Sequence, residues 1–242
     1  MNAAAMLSET QAREEICRVG QSLFARGYVH ATAGNISVRL NDGYLITPTD
    51  ACLGFLDPAR LAKVGFSGEQ ISGDRASKTL VLHRQIYQAA GTYDPATACV
   101  IHTHSTHCVA LSLRLGVPAA PGPGALPPAE LLAALTPYFV MKVGHVPHLA
   151  YQRPGAPEAA QAVSAAIHHF GRLGVPIRAV MLERLGPNVW HSNPAQAMAI
   201  LEELEETAHL ALLHAKGGAI DAPQPLSAAQ LQELREHFAA RW

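Results

Sequence analysis

At 242 residues the chain has room for one large domain and does not demand two. Hydrophobic residues make up 49% and charged residues only 15%, a balance that argues against a disordered chain. The formal net charge is -1, with lysines and arginines scattered, which argues against nucleic acid or an anionic membrane as partner because both require a concentrated basic face.

The opening segment, MNAAAMLSETQAREEICRVG, carries acids early and lacks a basic stretch followed by an apolar core, so it is expected as a first helix rather than a signal peptide. Ser8 and Gln11 have the spacing of a capping box, and Ile16, Val19 and Leu23 recur at helical intervals until Gly27. From Thr32 the pattern changes. TAGNISVRL, a turn at Asn41-Asp42-Gly43 and YLITPTD predict a β-hairpin whose Gly- and Asn-rich loops can present backbone N–H groups to an anion. GFSGEQISGDR is turn-rich, SKTLVLHRQIYQAAG helical, and ATACVIHTHSTHCVALS a short buried strand running into a second helix. GVPAAPGPGALPPAE is expected as a loop or crossover within the domain. PYFVMKVGHVPHLAY suggests a strand region, EAAQAVSAAIHHF a helix and IRAVMLERL a strand. Asn193 and Pro194 open a last long helix. No apolar run is long enough to span a bilayer, and the four cysteines lack any CxxC pair, so buried thiols in a reducing cytoplasm are expected.

The strongest chemical signal is Val100-Ile101-His102-Thr103-His104. Side chains two apart on a strand point the same way, so both imidazoles can reach one ion. The same spacing also suits strand-end histidines with purely structural partners. With thirteen histidines in the chain, abundance alone places some near any site.

TAGNISVR, ITPTD, SKTLVLH, VIHTHSTHCVALS and a closing order of strand, glycine turn and Glu-rich helix together resemble the class II aldolases, such as L-fuculose-phosphate aldolase. Within that superfamily GYLITPTDACLGFLDPARLAKV, SGDRASK, TPYFVMKVGHVP and EELEETA resemble the branch containing 3-oxo-tetronate 4-phosphate decarboxylase. The resemblance implies one class II aldolase/adducin-like domain over 1–242, an α/β fold with a mixed, largely antiparallel central sheet flanked by helices. It also implies a homotetramer with active sites between subunits. A divalent metal would sit on His102 and His104, zinc first, with manganese, cobalt or iron as alternatives. There it would polarise the carbonyl of a small hydroxy or keto acid or sugar-acid phosphate and stabilise an enediolate. By position, Thr32, Gly34 and Asn35 fall where the family binds phosphate, with Thr49, Ser77 and Lys78 completing the donors. Tyr138 aligns with a tyrosine that reaches a neighbouring subunit's site as proton donor. Each has a plainer reading, since GN and TP pairs are common in turns and a lone tyrosine in an apolar stretch is commonly core.

Three departures fall in the site. Leu185 stands where the family's third metal histidine precedes a glycine, Thr79 where a catalytic carboxylate follows the serine pair, and Asp50 where the TPTG loop has glycine. On the predicted strand Glu183 shares a face with Leu185 and is expected as the acid completing the metal set, with Asp50 as the alternative acid. His107, His145, His148 and His191 are further polar residues expected in that neighbourhood. Arg39 or Arg153 is expected to join Lys78 in anchoring a carboxylate. The acids of LEELEETA are expected on a solvated helix face. A metal-dependent carbon–carbon lyase is the favoured reading. An iron oxygenase with a two-His, one-carboxylate set and a non-catalytic adducin-like relative are the alternatives.

Overall fold

The computed structural model describes residues 6–116, 128–216 and 223–242. Most of the expected Pro- and Gly-rich loop falls on 117–127, outside the described residues. Helix α1 (Glu9–Ala25) starts at the expected Ser8–Gln11 capping box and buries Ile16, Val19 and Leu23 completely. Strands β1 (Asn35–Arg39) and β2 (Gly43–Ile46) form the expected antiparallel hairpin, with Ser37 opposite Ile46. The sheet then extends through β3 (Ala62–Gly65) and through β4 (Gln70–Ser72), the latter inside the stretch expected as turns. Next come α2 (Leu80–Gly91), β5 (Cys99–His102) and α3 (Thr106–Leu115).

The segment expected as a strand region at 137–151 is largely something else. Pro137–Lys142 forms α4, because Pro137 supplies a first helical position and the Thr136 hydroxyl accepts the Phe139 N–H at 3.1 Å. Only His148–Leu149 remains as β6. Helix α5 (Pro157–Arg172), β7 (Ala179–Leu182) and α6 (Pro194–Lys216) follow the sequence expectation, with Asn193 accepting the Gln196 N–H at 2.9 Å, while β8 (Gly186–His191) is a strand where only a glycine turn was expected. A last helix, α7 (Ala228–Phe238), begins at a Ser227–Gln230 capping box that was not anticipated.

The eight strands lie in the order β4-β3-β2-β1-β5-β8-β7-β6, every pair antiparallel except β6 with β7. The mixed, largely antiparallel sheet flanked by helices is therefore as expected. Alternation along the strands divides two cores. Ile36, Val38, Ile101, Met181 and Val189 pack with residues of α1, α3 and α6, while Tyr44, Ile46, Val100, Val180 and Trp190 pack with residues of α2 and α5. At one end of the second face apolar side chains give way to a polar row: Asn35 lies opposite His102 on β5, and His102 opposite Asn188 on β8. No helix among the described residues is long and apolar enough to cross a membrane.

Candidate active site at the end of β5

Strand β5 stops at His102, so His104 lies beyond the pleat that was expected to align the pair. The two rings nevertheless stand 5.0 Å apart, because the loop between them is pinned by β8. The Thr103 N–H donates to the Pro187 carbonyl at 3.3 Å. Gly186, at φ +140°, approaches so closely that a Cβ there would lie 1.9 Å from the Thr103 carbonyl oxygen. The same Pro187 carbonyl lies 3.0 Å from His102 Nδ1. A carbonyl only accepts, so Nδ1 carries the proton and Nε2 presents a bare lone pair. Burial, aided by the neighbouring His104, pushes the His102 pKa down to about 4. Burial and then His30 lower that of His104. Both rings are thus neutral near pH 7, the form a metal requires.

The turn before β1 closes over this end of the strand. Gly34, at φ +84°, would place a Cβ 2.9 Å from the His102 carbonyl oxygen, so only glycine lets the turn sit there. It carries His30, whose ring is edge-on to His104 with centroids 6.3 Å apart. Beneath lies a cluster of buried polar atoms without partners: Asn35 Oδ1, both amide atoms of Asn188, and His83 Nε2. His83 Nδ1 is 2.7 Å from Ser37 Oγ, itself 2.8 Å from the Tyr87 hydroxyl, and complete burial beside His102 holds the His83 pKa at about 3. An unpaired buried polar group costs about 1–3 kcal/mol, so several at one place mark a surface shaped for polar contacts.

Two loops form the adjoining rim. Pro48 bridges Ala76, the Thr49 N–H donates to Arg75, the Ser77 N–H donates to Thr47, and the Thr47 hydroxyl accepts the Ile36 N–H at 3.2 Å. These bonds tie Thr49, Asp50, Ser77 and Lys78 to the start of β1, where Asn35 begins the strand. Thr32 and Lys78 are exposed. Asp50 sits at φ +58°, so the loop keeps the left-handed shape glycine would favour, which aspartate tolerates better than most residues. The Thr79 hydroxyl lies 2.7 Å from Ser77 Oγ. It is no carboxylate and offers no base.

Other expected partners go elsewhere. Glu183 does not join the metal pair: β7 ends at Leu182 and residues 183–185 form a turn, so the two-residue alternation linking Glu183 with Leu185 is lost. Its carboxylate accepts the Tyr151 N–H at 3.1 Å and lies 3.5 Å from Arg184 Nε. Among the described residues no three His, Cys, Asp or Glu side chains form a metal-holding group. Leu185 packs against the α2–α5 core. His107 lies against Glu205 and stacks on His209, His145 pairs with Glu130 and stacks on Trp242, and His191 opposes Cys99 at the far end of β8. His148 lies on β6, with its Nε2 buried and unpartnered. Arg39 is at the far end of β1, roughly 13 Å along the strand from Asn35, so it does not anchor a substrate with Lys78. Arg153 is exposed in the loop after β6. Tyr138 is 62% exposed on α4 rather than packed in the core. Glu205 is not solvated either: it is buried and accepts the His107 and Cys108 N–H groups at 2.8 and 3.0 Å, capping α3. His30, His83 and Asn188 were missed, although Asn188 lies two residues from Trp190 on one face.

Residues 14–212 match the model described as Class II Aldolase and Adducin N-terminal domain. The chain belongs to the class II aldolase and adducin family. Among curated members, the 3-oxo-tetronate 4-phosphate decarboxylase of Cupriavidus necator is 49% identical over 237 residues, covering 98% of this chain and all of that one. The YgbL protein of Klebsiella pneumoniae superposes with a TM-score of 0.77 at 38% identity, covering 95% of this chain and 100% of the other. The L-fuculose-1-phosphate aldolase of Thermus thermophilus gives a TM-score of 0.68 at 28% identity, covering 86% of this chain and 97% of that one. Class II aldolase relatives thus match this chain over nearly its whole length.

Proposed function

We propose that this protein is a divalent-metal-dependent decarboxylase of a phosphorylated 3-oxo sugar acid, of the 3-oxo-tetronate 4-phosphate type. The observation that carries the reading is the His102–His104 pair, neutral and with the His102 Nε2 lone pair open, in a chain 49% identical to such a decarboxylase along its length. His102 and His104 would hold the metal, with zinc first and manganese, cobalt or iron as alternatives. When bound, the metal supplies a Lewis acid for the 3-oxo oxygen of the substrate.

The residues around it then divide the work. Beside His102, the unpaired Asn188 Nδ2 donates to an oxygen of the substrate, while the unpaired Asn35 Oδ1 accepts from a substrate hydroxyl, and together they orient it. Lys78, with Thr32, Gly34, Thr49 and Ser77, forms the cationic and N–H-bearing rim for the phosphate. The bond between the carboxylate carbon and C2 breaks, carbon dioxide leaves, the electron pair moves toward the 3-oxo oxygen as an enediolate, and C2 later takes up a proton. Tyr138, exposed on α4, is suited to deliver that proton into the site of a neighbouring copy in a homotetramer.

Thr79 favours decarboxylation over aldol cleavage. Aldol cleavage needs a base to remove a hydroxyl proton, whereas loss of carbon dioxide needs only an electron sink. Glu183, tied to Tyr151 and Arg184, gives no support to a two-His, one-carboxylate oxygenase. The test is carbon dioxide release from 3-oxo-tetronate 4-phosphate by tag-free protein. Turnover that disappears with a chelator and in His102→Ala is the expected result. Turnover indifferent to both, or none with metal supplied, would overturn the reading.

A further inference from the structure

His102 and His104 provide two donors, and a zinc site that retains its ion takes at least three from protein. Leu185 has no lone pair, and Glu183 is committed to the Tyr151 N–H. His83 is fully buried beneath the pair, with its Nδ1 held by the Ser37 hydroxyl. His30 differs on every count. Its ring is exposed, its one ring contact among the described residues is with His104, and no hydrogen bond occupies either of its nitrogens there.

We propose that His30 is the third metal ligand of this chain, filling the coordination position that Leu185 leaves without a donor. The inference rests on the metal-dependent reading above. Two imidazoles on one ion at about 2.0–2.1 Å from each nitrogen bring their centroids to roughly 5 Å, the separation His102 and His104 already have. His30 and His104 stand at 6.3 Å and His30 makes no ring contact with His102, so the three do not yet form a closed set: the His30 side chain has to turn in toward both rings, by roughly 1 Å on the His104 side, a rotation open to an exposed side chain on the ps–ns timescale.

The backbone beneath it is fixed in place. Val29 is buried, the Ala33 N–H donates to the His30 carbonyl at 2.9 Å, and Gly34 is fitted against the His102 carbonyl. Ala31, the next residue, holds φ +48°, a left-handed conformation that costs a non-glycine residue about 1–2 kcal/mol. Such strain persists where the surroundings impose it and is concentrated at functional sites. Here it holds the turn that presents His30 to the pair.

The test uses tag-free full-length protein, stripped by chelator and titrated with cobalt(II), with zinc affinity read by competition. Circular dichroism checks that each variant keeps its fold, as expected for an exposed position. His30→Ala should weaken zinc binding by more than about 100-fold, beyond what losing an outer-sphere partner costs, and should diminish the cobalt visible band. Leu185→His added to His30→Ala should restore both, since it puts a donor back at the vacated coordination position. If His30→Ala binds with wild-type affinity and spectrum while His102→Ala loses the metal, the assignment of His30 falls and the metal-dependent reading stands. If the wild type takes up no cobalt or zinc, both fall together.

Discussion

Two histidine clusters lie close in sequence, and their polar groups are spent differently. At the start of α3, His107 and Cys108 donate their N–H groups to Glu205, the His107 ring reaches the same carboxylate at 2.9 Å, and His209 stacks on it at 4.1 Å. The two N–H groups and the His107 Nδ1 are all taken up by that one buried carboxylate. At the end of β5, His102 spends one nitrogen on Pro187 and keeps the other, while Asn35, Asn188 and His83 leave buried atoms unpaired. The contrast teaches that an open lone pair, rather than a density of histidines, marks a site. Satisfied polar groups stabilise the fold, and unsatisfied ones are held at its expense.

The largest expected effect comes from Gly186→Ala, which meets both a positive φ and the Thr103 carbonyl. It should cost about 2–4 kcal/mol in urea unfolding and displace the loop that sets His104, so metal content should fall as well. Glu205→Ala should cost about 1–3 kcal/mol by orphaning two N–H groups at α3, yet leave the metal content unchanged. Loss of metal in that variant would erase the distinction between the clusters.

Acid should act in the same direction on the metal-free protein. His83 at about 3, and His102 and His191 at about 4, lie below the ordinary histidine value of about 6.5, so the unfolded chain binds more protons between these limits. Stability is complete above pH 6.5 and is lost as pH falls toward 4. Urea midpoints taken from pH 7 to pH 5 should decline, and a flat series would contradict the buried neutral histidines. The smallest shift is expected for Asn188→Leu, which removes an unpaired buried amide at similar volume. Stability should hold or rise by about 1 kcal/mol while decarboxylation drops, and a clear destabilisation would show the amide to be structural.

Much of this was legible in the sequence where the cause was local. The Ser8–Gln11 cap, the Asn-Asp-Gly hairpin turn and the short buried run of β5 are set by neighbours within a few residues, and each element formed as expected. The His102–His104 pair was visible too, though the rings meet through a loop pinned by Gly186 and not through a shared pleat. What failed depended on distant partners. Glu205 reads as one acid among several until α3 is laid against α6, and Glu183 reads as a strand residue until the turn before β8 rotates it away. His30 carries no motif of its own; its place over His104 exists only because Gly34 lets the turn close on β5. The α4 error was avoidable, since Thr136-Pro137 is a helix start that the apolar run Tyr-Phe-Val-Met obscured.

Metal content by plasma mass spectrometry, on tag-free protein purified without added metal, tests the central claim most directly when wild type and His102→Ala are compared. About one divalent ion per chain in the wild type and essentially none in the variant is the expected result. Equal occupancy in the two would show that the end of β5 is not the metal site.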